Sequence, residues 1–292
     1  MNIKNTILPP EWSSKIRRYC LQSHSKIRGQ YKGSHRSQRF GSSLEFSDFR
    51  EYHSGDDVRQ IDWNVYARTE KYYIKRFLDE QEMRVHILLD TTKSMSQEVK
   101  WMVAKQLTVA LGAMVLNQDD HLSFSFVSEK NVPPFRRKGA SFQKAFEQIV
   151  AQLEEPTIAG DFTDHAMKVI PKDLTVLIII SDGLEPIEKW RTFLKQTPKV
   201  AGDIRFLQIQ TTQEIAPAYT GDVELLDMET KESLNVSMSQ TVFNSYQQLR
   251  ERHQSQLIAL CQQYGISFLP VNTNDGIQYI LFQQLLKLHW IG

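Results

Sequence analysis

Apolar positions along this chain follow a regular alternation of two periods from residue 84 onward. Arg84–Leu89 (RVHILL) is a short apolar run, as expected of a strand buried on both faces. Residues 96–117 then place Val99, Met102, Val103, Leu107, Leu111, Met114 and Val115 at helical spacing. Residues 122–127 (LSFSFV) alternate and predict a strand. Residues 141–153 put Phe142, Ala145, Phe146, Ile149 and Val150 on one helical face, with Ser141 as the expected N-cap. The run 174–180 (LTVLIII) is the strongest strand signal and leads through Ser181-Asp182-Gly183 into a helix near 187–195. A strand over 204–209, a long helix over 240–264 ending at Gly265, a strand over 266–271 and a helix near 276–288 complete the series. This alternation predicts an α/β fold: a doubly wound, mostly parallel sheet with helices on both faces. Two short alternating runs between 222 and 236 flank Glu229-Thr230-Lys231 and predict a small β-hairpin insertion at the sheet edge.

The first 80 residues have a different texture. Residues 12–28 suit a helix, and 29–43 (GQYKGSHRSQRFGSS) suit an exposed Gly/Ser-rich basic loop. Residues 72–78 alternate as a strand. Too few residues separate them from Arg84–Leu89 for a crossover helix, so the two are expected to pair antiparallel. The expected organisation is a basic N-terminal extension over 1–80 and an α/β domain over 81–292 with the hairpin near 222–236.

Composition narrows the class. The chain has 292 residues, 41% hydrophobic and 24% charged, which excludes a disordered or fibrous protein. Its longest purely aliphatic run, 176–180, is far short of the ~20 apolar residues of a membrane span. The start, MNIKNTILPPEW, lacks the apolar stretch of a signal peptide, and Cys20 and Cys261 make no disulfide framework. A cytoplasmic protein is expected. Net charge is +1, yet residues 1–50 hold ten lysines and arginines against three acids, leaving the rest with six surplus negative charges. Such a basic head suits an anionic partner, or else docks on the acidic body.

Candidate chemistry sits where strands end. Asp90 opens DTTKS after the first buried run, and Asp182 follows 174–180. In an open α/β sheet, ligand sites collect at such carboxyl ends. Asp90, Thr92 and Ser94 alternate along a loop entering a helix, so their oxygens converge, and oxygen-only ligands suit Mg²⁺ or Mn²⁺. Thr163, in IAGDFTDHAM, is a third contributor over the same end. Taken singly, each aspartate reads better as a helix cap or a turn than as a ligand; their joint arrangement is more specific. Histidines 35, 53, 86, 121 and 165 show no zinc spacing, and no phosphate-binding glycine loop or nucleophile elbow is present.

Asp90-x-Thr92-x-Ser94, the later Gly160…Thr163 and Asp182 resemble the metal-ion-dependent adhesion site of von Willebrand factor A-type domains, with Thr92 standing where a serine is usual. The resemblance implies hydroxyls on Mg²⁺ and one coordination position open to a partner's carboxylate. Upstream, EFSDFREYHSGDDVRQIDWNVYAR (residues 45–68) followed by YIKRFLDEQE is similar to the signature of a bacterial family of von Willebrand factor A-like proteins, domain of unknown function number fifty-eight. That likeness runs over roughly residues 25–290 and implies work with MoxR-type AAA+ ATPases in maturing other complexes. Within the signature, Arg50, Asp56, Asp57, Arg59, Asp62 and Arg68 alternate in sign, with Trp63 and Tyr66 as expected apolar anchors. They form either a half-buried network fixing a loop or a partner surface in which Arg59 or Arg68 grips a carboxylate. Asp56, Asp57 and Asp62 lack the spacing of a calcium loop.

The expectation is therefore a non-catalytic adaptor, not an enzyme, that grips an acidic client through Mg²⁺ alongside a MoxR-type ATPase. One rival is a Mg²⁺-dependent phosphatase or phosphotransferase with Asp90 as nucleophile, for which Asp182 supplies one further carboxylate and Glu185 stands nearby. Another is binding of nucleic acid or an anionic surface through Tyr31, Lys32, Arg36, Arg39 and Phe40.

Overall fold

The computed structural model describes residues 7–23, 32–40, 46–128, 132–156, 162–217, 221–226 and 233–292. The chain divides into two compact units, one of residues 26–83 and one of residues 1–25 with 84–292. Its elements run α1 (Pro10–Ile16), β1 (Lys32–Phe40), β2 (Phe46–Glu51), α2 (Trp63–Thr69), β3 (Tyr73–Gln81), β4 (Arg84–Leu89), α3 (Glu98–Asn117), β5 (His121–Phe126) and β6 (Phe135–Lys138). They continue with α4 (Gln143–Ala151), α5 (Phe162–Val169), β7 (Leu174–Ser181), α6 (Ile187–Leu194), β8 (Ala201–Gln210), α7 (Thr212–Ile215), β9 (Gly221–Leu226), β10 (Ser233–Met238), α8 (Gln240–Gln263), β11 (Ser267–Asn272) and α9 (Ile277–Tyr279).

In the larger unit a six-stranded sheet has the order β11-β8-β7-β4-β5-β6, parallel throughout except for β6. Every residue of β7 is buried, and so is all of β4 beyond Arg84, as the continuous apolar runs require. Helix α3 packs on one face and α5, α6 and α8 on the other. Trp190, Phe193, Phe162 and Phe206 interlock there, with ring centroids 4.9–6.0 Å apart. Helix α3 is long and apolar enough to resemble a membrane span, but 78% of that stretch is buried within the fold. A helix apolar all round is the one a core encloses. Helix α8 ends as its sequence predicts. Gly265 (φ +67°) donates to Gln262 O at 3.2 Å and Ile266 to Cys261 O at 2.8 Å, closing the helix before β11.

A second tie lies at the edge of the sheet. Cys20 and Gly292 exchange backbone hydrogen bonds of 2.9 and 3.0 Å, and Gln22 donates to Trp290 O. Buried Arg205 on β8 holds Asp203 at 2.8 Å while donating to Trp290 O at 2.9 Å and to Gln22 O.

Several expectations change. The strand predicted over 72–78 is β3, but its partners are β1 and β2, antiparallel, because both edges of β4 are occupied by β5 and β7. The predicted loop over 29–43 contains β1: a Gly/Ser-rich segment still forms an edge strand when a neighbour offers an open backbone. Residues 29–31 and 41–43 lie outside the described residues. The helix predicted over 12–28 stops at Ile16, since residues 20 and 22 commit their backbone to 290–292; residues 24–28 lie outside the described residues. Ser141 does not cap α4: it sits inside a 3₁₀ turn, Ala140–Phe142, and α4 begins after it. Strands β9 and β10 pair as predicted, but in a two-stranded sheet of their own, so they do not extend the six-stranded sheet; residues 229–231 lie outside the described residues. The final predicted helix is a short α9 running into a π-helical stretch, Ile280–Leu285.

Candidate metal centre

The connection order places β4 centrally, with the next helix leading to β5 on one side while β7 lies on the other. The carboxyl ends of β4 and β7 therefore face a topological switch point, where connecting loops diverge and leave a crevice. Asp90 extends the ladder by one step, its N–H donating to Ile180 O at 2.9 Å. The Thr91 hydroxyl donates to Val127 O, turning the chain into a 3₁₀ turn over Lys93–Met95 whose Met95 is buried.

Within this turn the oxygens do converge. Asp90 Oδ1 accepts from Thr92 N at 2.9 Å and Thr92 Oγ1 at 2.7 Å, and Asp90 Oδ2 accepts from Ser181 Oγ at 2.6 Å. Thr92 Oγ1 and Ser94 Oγ are 3.1 Å apart. At the end of β7, Asp182 Oδ1 accepts from Leu184 N at 3.2 Å, and Gly183 turns the chain with φ +72°. Gly183 also packs tightly: a side-chain carbon there would lie 3.0 Å from Leu257. Asp182 Oδ2 accepts from Lys100 Nζ at 3.1 Å, and the same ammonium reaches Ser94 O at 3.0 Å and Glu214 Oε1 at 2.5 Å. Glu214 is fixed by the capping box of α7. Thr163 lies in the first turn of α5, and its hydroxyl donates to Glu185 Oε2 at 2.6 Å.

Charge is unbalanced here. Burial, and then repulsion from Asp182, pushes Asp90 up to about 7 although Ser181 and Thr92 hydrogen bonds pull the other way. Glu185 is likewise pushed up to about 7, by burial first and also by Asp90, so the Thr163–Glu185 pair and Asp90 share one electrostatic neighbourhood. Burial opposes the charge of Lys100, yet Asp182 and Glu214 together raise its pKa. One lysine thus serves two carboxylates directly, and two more remain on hydroxyl and N–H donors.

The donor set is all oxygen, which fits Mg²⁺ or Mn²⁺ and not a thiophilic metal. Among the described residues no three His, Cys, Asp or Glu side chains form a metal-holding group, so any cation here would depend on hydroxyl oxygens such as those of Thr92 and Ser94 beside Asp90. Sequence reasoning missed Lys100, Ser181 and Glu214, and weighed Glu185 only as part of a phosphatase. Lys100 was signalled: it lies three residues before Val103 and seven before Leu107, on the apolar stripe of its helix.

The charged signature resolves into separate local devices. Arg50 holds Asp56 through two bonds of 2.6 Å, which keeps Asp56 at about 2. Arg59 pairs with its neighbour Asp57 at 3.0 Å and is 87% exposed. Asp62 caps α2 through Asn64 N and Val65 N. Arg68 is exposed, and Trp63 is 60% exposed instead of serving as an anchor, because Asp62 turns the first residue of α2 outward; Tyr66 stacks on Tyr72 at 4.6 Å. Lys32, Arg36, Arg39 and Phe40 lie on β1, and Tyr31 and Gly160 lie outside the described residues.

Residues 48–256 match the model of the family described as "Protein of unknown function DUF58". This chain belongs to that family. Its relatives include "Uncharacterized protein Mb1516" of Mycobacterium bovis and "Uncharacterized protein Rv1480" of Mycobacterium tuberculosis. Each is 22% identical over 283 residues, covering 93% of this chain and 88% of the relative. Among solved structures, the conserved hypothetical protein BatB from Bacteroides thetaiotaomicron covers 70% of this chain and 98% of its own, at 12% identity and TM-score 0.39. An aerotolerance-related membrane protein from Bacteroides fragilis covers 63% and 98%, at 11% identity and TM-score 0.28.

Proposed function

We propose that this member of the family is a non-catalytic, cytoplasmic adaptor with a von Willebrand factor A-like metal centre built from Asp90, Thr92, Ser94, Thr163 and Asp182. In this reading it grips the acidic side chain of a client through Mg²⁺, or Mn²⁺, and works beside a MoxR-type AAA+ ATPase. The observation that carries the reading is the run of oxygens from Asp90 Oδ1 to Thr92 Oγ1 at 2.7 Å and on to Ser94 Oγ at 3.1 Å, near a Lys100 already committed to Asp182 and Glu214. The cation, when bound, supplies positive charge and an exchangeable coordination position. The chain supplies the rest. Ser181 and the Thr92 N–H hold Asp90 in place, Lys100 neutralises Asp182 from below, and the packed sheet keeps the turn rigid.

Mn²⁺ titration of the full chain, followed by electron paramagnetic resonance, tests it. One bound ion, lost in Asp90→Asn, is expected, together with chelator-sensitive capture of the purified MoxR-type ATPase. Absence of Mn²⁺ binding overturns the metal centre. Phosphatase turnover abolished by Asp90→Asn overturns the adaptor in favour of an enzyme.

A further inference from the structure

A cleft of about 780 Å³ opens where segments from the two ends of the chain meet beside α3, a volume that suits a small ligand. Trp12, Lys15 and Tyr19, from α1 and the turn after it, form one wall. Ile277 and Phe282, which follow β11, form the other, and Val103 of α3 lies between them. The backbone exchanges of Cys20 with Gly292 and of Gln22 with Trp290 hold the segments that carry the two walls together. Local sequence shapes the second wall. Gly276 turns the chain with φ +76°, and a side-chain carbon there would meet nothing within 4 Å. Phe282 sits in the π-helical stretch Ile280–Leu285, a rare widened turn that recurs at functional sites.

Charge and ring chemistry decide what fits. The Lys15 ammonium lies 4.1 Å from the centroid of the Phe282 ring, and Tyr19 packs against the same ring at 5.0 Å. Lys15 is exposed and makes no ion pair among the described residues. Asp275, the acid bordering the cleft, already accepts from Gln284 Nε2 at 3.3 Å. A cation left over on an aromatic wall attracts a negative group, and the rings beside it give a flat apolar body a surface to pack on. We propose that this cleft binds a small anion with a flat aromatic body, of the aryl carboxylate class. Its acid group pairs with Lys15 while its ring packs against Trp12, Tyr19 and Phe282. The seat of Lys15 over Phe282 holds the ammonium at the wall beforehand, so little side-chain freedom is lost on binding. The cleft shares no residue with the metal centre, and the inference does not depend on the adaptor reading.

Isothermal titration calorimetry of the full chain with naphthoate, in the presence of chelator, tests this. One equivalent should bind, about tenfold or more tightly than naphthylmethylammonium, which carries the same rings and the opposite charge. Acetate, an anion without the aromatic body, should show no binding. Lys15→Met keeps an apolar stem over Phe282 and should weaken naphthoate about tenfold through loss of one charge-assisted contact, while Lys15→Arg should restore it. Gln278 is exposed and borders the cleft, so Gln278→Trp should fill the space and abolish binding of both aryl probes. Thermal melts matching the parent's would confirm that the variants remain folded. The inference is overturned if the parent binds no naphthoate, if it binds the aryl ammonium equally well, or if Lys15→Met and Gln278→Trp leave the affinity unchanged.

Discussion

On β8, Arg205 and Asp203 are almost completely buried, at 1% and 7% side-chain exposure, and the guanidinium spends its remaining donors on the carbonyls of Trp290 and Gln22. At the ends of β4 and β7, Lys100 is equally buried but faces Asp182 and Glu214, with Asp90 and Glu185 beyond them. The first cluster closes on itself: each charge meets its opposite, and the leftover hydrogen-bonding capacity ties residues 20–22 to 290–292. The second leaves negative charge over. Burying charge is costly unless it is matched, so the balanced cluster serves architecture, and the unbalanced one is where the proposed cation would sit.

The largest test of that contrast is Arg205→Met. It strands buried Asp203 and removes a donor from the carbonyls of Trp290 and Gln22, and chemical denaturation should show a loss of about 3–5 kcal/mol. Lys100→Met should cost less, about 2–3 kcal/mol, because Glu214 is 28% exposed and water can take over part of its solvation. The same variant should lose Mn²⁺ binding through displacement of Asp182, whereas Arg205→Met should not affect the metal in the protein that remains folded.

His86 supplies an intermediate case, a buried polar group with no net charge. Its ring nitrogens meet Ser123 Oγ at 2.6 Å and Ser125 Oγ at 2.9 Å, and burial drives its pKa down to about 3. The folded state therefore prefers the neutral ring, while the unfolded chain takes up a proton near 6.5. Between those values the unfolded state binds more protons, so stability is fully present above about pH 6.5 and declines as pH falls towards 3. From pH 7 to 5 this group alone should remove about 2 kcal/mol, and His86→Gln should flatten that part of the stability–pH curve.

Asp90→Asn is expected to have the smallest effect. Asparagine can still accept from Thr92 and engage Ser181, and it removes a repelling charge. With chelator present, its stability should lie within about 1 kcal/mol of the parent's or above it, while Mn²⁺ binding disappears. A loss comparable to that of Arg205→Met would break the distinction between the two clusters.

Legibility followed the range of the physics. The runs RVHILL and LTVLIII announced β4 and β7 because burial on both faces demands unbroken apolar sequence, and Asp90, Thr92 and Ser94 could be recognised because alternation within five residues is local. Gly265 marked the end of α8 for the same reason. The strand at 32–40 was illegible, since its stability comes from the open edge of β3 and not from its own side chains. The pairing expected between β3 and β4 failed because adjacency in sequence says nothing about which edges are already taken.

From the sequence alone came the alternation of strands and helices, hence the α/β class, and the placing of aspartates immediately after two buried runs. Those follow from periodicity and from short spacings, which act within one element. Tertiary structure alone decided that β4 and β7 would be neighbours, that Lys100 would meet Asp182 from 82 residues away and Glu214 from 114, and that Glu185 would seat itself on Thr163. Electrostatic energies depend on distance through space and on exclusion of water, and neither exists until the sheet has assembled.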